Sequence, residues 1–147
     1  MSFDFIKALP KAGHRFVLPS THGSADAYAI AQAAIALKAE QRFLTIFVAS
    51  PADAQRLLSE LPWFAPDLRC HLLPDWETLP YDAFSPHQDL VSERLATLYE
   101  INSGNCDVLI VPATTALVRM APPSFLAAYT FFFKVGETLN EAKLKTQ

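Results

Sequence analysis

A chain of 147 residues with 12 Lys and Arg against 15 Asp and Glu carries a formal charge of −3; 51% of it is hydrophobic and 18% charged. Such a chain can bury roughly 68–70% of its unfolded surface as one domain, and its apolar content offsets the ordering entropy, which excludes disorder. The acidic balance argues against a free-standing nucleic-acid binder, and two cysteines, Cys70 and Cys106, are too few for a disulfide scaffold and fit a reducing compartment.

Asp4, Pro10 and Gly13 interrupt the first twenty residues, so no secretory apolar core is expected there. The longest nearly apolar run, Ala27 to Leu37, includes Gln32 and falls short of the ~20 residues a membrane span needs. The expectation is a soluble, cytoplasmic protein.

In chain order, Arg15 to Leu18 predicts a short first strand, ending at the turn Pro19-Ser20-Thr21-His22-Gly23. Ile30, Ala33, Ala34 and Leu37 then fall at i, i+3, i+4 and i+7, a helical stripe with Ser24 or Ser20 as its N-cap. Phe43 to Ala49 is apolar without alternation, the pattern of a strand covered on both faces. Ser50 followed by Pro51 starts a helix with Ala54, Leu57, Leu58 and Leu61 buried, and Pro62 is expected to stop it. Leu68 to Leu73 predicts the third strand.

From Pro74 to Gln88 there are three prolines, three acids and three aromatics with no period of either kind, which predicts a long ordered loop. Val91, Leu95, Leu98 and Ile101 mark a helix ending in Asn102-Ser103-Gly104; Val108 to Val111 is the fourth strand. Thr114 to Met120 reads as a short helix stopped by Pro122-Pro123. From Tyr129 the pattern changes, and Thr138 with Glu141 forms the capping box of a helix cut off at Gln147. These features predict the amino-terminal piece of a longer polypeptide, with a first domain over 1–126 and the start of a second over 127–147.

Alternating strands and helices give an α/β fold, a parallel sheet with helices on both faces. Ligands on such sheets sit at the carboxyl ends of the strands, so the first strand-to-helix turn is the place to look for a phosphate loop. Setting Gly23 as the second glycine of G-x-x-x-x-G-K-[ST] puts Leu18 at the first glycine, Ser24 at the lysine and Ala25 at the hydroxyl. Three of the four specified positions fail. Asp26 adds a carboxylate that itself satisfies the helix dipole and repels an anion, and His22 is no substitute for the missing lysine. The turn is a degenerate loop: an ordinary capped turn, or one retaining weak anion binding through backbone N–H groups.

No other constellation is complete. Cys70 and His71 point to opposite faces of a strand and no C-x-x-C pair exists, so the cysteines are assigned to the core and no metal site is expected. His14, His22 and His87 have no spacing relation to a nucleophile. Asp75, Glu77 and Asp82 could imitate a carboxylate pair or a magnesium site, but acids in a proline-rich loop are expected to be solvated or capping. Trp76, Tyr81 and Phe84 lack the interleaved Lys and Arg of a base-stacking channel. They are expected to pin the loop as buried rings, with a contact surface for another domain or protein as the alternative. Asp107 opens the strand through Pro112, and no acidic pair follows at its carboxyl end.

One long block is distinctive. The run Asp75-Trp-Glu-Thr-Leu-Pro-Tyr-Asp82, continuing through Phe84-Ser-Pro-His-Gln-Asp89 to Ser92-Glu-Arg-Leu95 and Leu98-Tyr99, resembles the amino-terminal region of the bacterial transcription-repair coupling factors, the Mfd family. Val108-Leu-Ile-Val-Pro112 and Pro123-Ser-Phe-Leu126 continue the match. The resemblance implies a UvrB-like module: a helicase-like α/β domain, here a degenerate P-loop NTPase, followed by an inserted second domain. UvrB keeps an intact phosphate loop, whereas the coupling-factor module does not, and Leu18, Ser24 and Ala25 agree with that loss. The loop from Pro74 to Gln88 is also short beside the one from which UvrB builds its strand-separating hairpin.

For the full protein the resemblance implies binding to stalled RNA polymerase, translocation on DNA by separate motor domains using ATP and magnesium, and recruitment of UvrA in nucleotide excision repair. The UvrA-contacting surface is implied chiefly in the second domain. For this chain it implies a non-catalytic scaffold without its own cofactor, whose Trp76, Tyr81, Phe84 and His87 face other domains of the same polypeptide. The rival expectation is a vestigial NTPase-like domain that still binds nucleotide or DNA.

Overall fold

The computed structural model describes residues 13, 15, 17–78, 81–129 and 136. Helix α1, Ala25–Ala39, buries Ala27, Ala31, Ala34 and Leu37, three small residues one turn apart that let it lie close to its neighbours. Strand β1, Leu44–Val48, follows, then α2, Pro51–Phe64. The Ser50 hydroxyl accepts the Asp53 N–H at 3.1 Å and Pro51 takes the first helical position, as the spacing predicts. Pro62 does not stop α2. So near the end, its missing N–H removes only one ladder bond, and the Ala65 N–H closes the last turn on the Leu61 carbonyl at 2.9 Å.

Strand β2, Cys70–Leu72, leads through the irregular loop to α3, Gln88–Asn102. Strand β3, Val108–Pro112, runs directly into the single turn α4, Ala113–Ala116, shorter than the Thr114–Met120 helix expected. Pro123, expected as a helix stop, instead begins α5, Pro123–Tyr129, in a first turn where its missing N–H is harmless. This helix crosses the 126/127 position expected as a domain boundary. Residues 130–135 and the Thr138–Glu141 capping box lie outside the described residues.

The sheet is parallel with order β1-β3-β2. Leu44 to Val48 face Val108 to Pro112 across β1 and β3, and Cys70 to Leu72 face Val108 to Ile110 across β2 and β3. The central strand β3 is buried at all five positions, as a run without polar alternation requires. On one face Val108, Ile110 and Leu72 pack with Ala27, Ala31 and Ala34 of α1 and Ala54, Leu57 and Leu61 of α2. On the other, Leu109, Val111, Leu73 and Cys106 pack with Leu98 and Ile101 of α3. The α/β architecture with helices on both faces is therefore the one expected.

Two expectations at the first strands are corrected. Arg15, Val17 and Leu18 join no strand and are exposed; Phe16 lies outside the described residues. Among the described residues the sheet consists of β1, β3 and β2 alone, and neither outer edge pairs with this segment. Among the described residues, strand β1 is covered on one face only. Thr45 and Phe47 point to the side that α3 covers over β2 and β3 alone, and Phe47 is 67% exposed.

At the amino end of the sheet, Asp107 is 4% exposed and binds four donors: Arg69 Nη2 at 2.6 Å, Arg69 Nε at 3.0 Å, the Arg69 N–H at 2.8 Å and Lys38 Nζ at 2.9 Å. Its backbone carbonyl accepts the Leu44 N–H at 2.9 Å, so one residue ties α1, β1 and the approach to β2 onto β3. The Arg69 guanidinium holds the carboxyl far below the ordinary range, with Lys38 adding to the effect.

Thr115 on α4 is 1% exposed, and its hydroxyl has no hydrogen-bond partner among the described residues. Desolvating an unpaired hydroxyl costs about 1–3 kcal/mol, so Thr115→Val raises stability by about 1 kcal/mol after some loss of fit. Urea denaturation midpoints at unchanged slope check this; a lower midpoint would count against it. No helix among the described residues is long and apolar enough to cross a membrane.

Candidate functional site

In a parallel sheet the loops after each strand leave from one edge. Here the loop of residues 73–87 leaves β2, and residues 113–118 leave β3 on the same side. Between them lies an open cleft of about 870 Å³. Asp75, Trp76, Glu77, Tyr81, Asp82 and Phe84 line one wall, and Thr114, Leu117 and Val118 line the other.

The loop is held by α3. Arg94 is 3% exposed, donates from Nη1 to the Pro74 carbonyl, and sets its guanidinium over the Trp76 ring at 4.3 Å from the centroid. One turn on, Thr97 Oγ1 donates to the Leu72 carbonyl at 2.9 Å. Burial pulls the Arg94 pKa down, opposed by the nearby charge of Asp75. The family-like segments Asp75–Asp82 and Ser92–Leu95 thus meet in space: one provides the ring and the other the cation.

Of the three rings expected to pin the loop, only Trp76 does so. Tyr81 and Phe84 are almost entirely solvent-exposed. Tyr81 has φ 74° and Glu77 φ 57°, left-handed values that non-glycine residues adopt at a cost. His87 does not line the cleft. It stands at the N-cap of α3, where Nδ1 accepts the Asp89 N–H at 3.3 Å.

Asp75, Glu77 and Asp82 bring three carboxylates to the cleft, and among the described residues no Lys, Arg or His lines it. A phosphate or nucleic-acid backbone entering there meets charge of its own sign. Among the described residues no group of three or more His, Cys, Asp or Glu is arranged to hold a metal ion.

The turn before α1 has a different character. With Arg15, Val17 and Leu18 in no strand, it does not follow a described strand of the sheet. Gly23 adopts φ 58°; Leu18, Ser24 and Ala25 are exposed, and Ser24 makes no side-chain cap. The Asp26 carboxylate accepts the Ala27 N–H at 2.7 Å and two bonds from Arg56, at 2.7 and 3.2 Å. Arg56 lowers the Asp26 pKa and is itself shared with Glu60 at 3.0 Å. A carboxylate therefore occupies the helix N-terminus, and the cation near it is already paired with two acids.

The cysteines lie on opposite sides of the sheet, Cys70 against the α1–α2 core and Cys106 in the α3 core. Burial raises both thiols, Cys106 to about 11, so neither is activated as a nucleophile.

No protein-family model matches the chain. It is similar to the transcription-repair-coupling factor of Escherichia coli, 39% identical over 139 residues, which covers 93% of this chain and 12% of that protein. The transcription-repair-coupling factor of Haemophilus influenzae is 35% identical over 135 residues, 89% of this chain and 11% of its own length. That of Rickettsia bellii is 28% identical over 109 residues, 71% of this chain and 10% of its length. The chain thus spans about an eighth of the length of the first of these curated relatives. With nearly its whole sequence matched to proteins of one name, this chain belongs to the transcription-repair-coupling factor family.

Proposed function

We propose that this chain is a non-catalytic, UvrB-like scaffold and interaction domain of a transcription-repair-coupling factor. Its degenerate phosphate loop turns over no nucleotide, and its cleft at the carboxyl edge of the sheet faces other domains of the same polypeptide. In this reading, ATP, magnesium and DNA are handled by motor domains elsewhere in the full-length protein. Displacement of stalled RNA polymerase and recruitment of UvrA in nucleotide excision repair likewise belong to the full-length protein, to which this domain contributes position and contact surface.

The observation that carries the reading is the carboxyl edge itself. Where a nucleotide-binding sheet would gather cations and phosphate-binding N–H groups, this one gathers three acids and two exposed rings. Exposed aromatic side chains around a cleft are the usual anchors of a protein interface. The Gly23 turn supports it, because Ser24 supplies no cation and Asp26 repels a triphosphate.

Calorimetric titration of the full chain with ATP and magnesium tests the proposal, and the expected result is no binding heat. A Kd tighter than about 1 mM, about −4 kcal/mol, would favour the rival reading of a vestigial nucleotide site, and Ser24→Lys should then tighten it further.

A further inference from the structure

We draw no further inference here: the strongest candidate, the face of the edge strand β1 left uncovered around the exposed Phe47, carries nothing because nothing in the structure shows what covers it.

Discussion

Replacing Asp107 by alanine lowers folding stability by about 3 kcal/mol, the lower end of the range for breaking a buried ion pair. The estimate is kept low because the side chains left behind, Lys38 and Arg69, are each close to half exposed and water can solvate them. What water does not replace is the acceptor for the Arg69 N–H and the tie between α1 and β3. The pH dependence provides an independent check. Arg69 and Lys38 depress the Asp107 pKa in the folded state below its unfolded value of about 3.9. On acidification below pH 4 the unfolded chain therefore takes up the proton first. The contribution is whole above that pH and is lost as pH falls toward the folded value. Urea denaturation at pH 7, 4 and 2.5 should show wild-type stability declining and Asp107→Asn declining less steeply. Parallel curves for the two proteins would show that Asp107 is not the group responsible.

Arg94→Ala is expected to cost about 2–4 kcal/mol and to release the 73–87 loop. The loss combines a charge-assisted hydrogen bond to the Pro74 carbonyl, about 1.5–3 kcal/mol, with the ring contact to Trp76, about 0.5–2 kcal/mol. Among the described residues no carboxylate forms an ion pair with Arg94, so its removal strands no acid, and this keeps the total below the sum of the upper limits. Arg94→Lys keeps the charge but not the planar face, and should recover only part of the loss. In the Trp63→Phe background, Trp76 emission should shift to the red in Arg94→Ala as the ring gains water. An unshifted spectrum would mean that the loop is held by something else. The Asp107 and Arg94 effects should add, since the two residues sit at opposite ends of the sheet and share no partner.

Much of the frame was legible in local sequence. The Ser50-Pro51 start of α2, the alanine stripe of α1, the Gly104 stop after α3 and the apolar runs of the three strands each carry their own physical signal. Arg94 and Thr97 offered one that the apolar count passed over. They fall at i and i+3 on the same face as Leu98 and Ile101, and polar groups on a buried face must find partners. Asp107 had no such signal. Lys38, Arg69 and Asp107 lie 31 and 38 residues apart in turn, and nothing in their spacing pairs them.

The family, the α/β class and the failure of the phosphate-loop pattern at Leu18, Ser24 and Ala25 were settled by residue identities alone, because a missing lysine, hydroxyl or glycine is missing in any fold. Which face of β1 is covered, whether residues 15–18 find a strand partner, and whether Tyr81 and Phe84 turn inward or outward were decided by the tertiary structure. Local propensity states only that a side chain or a strand needs a partner, and whether one is present depends on what the rest of the chain has already packed.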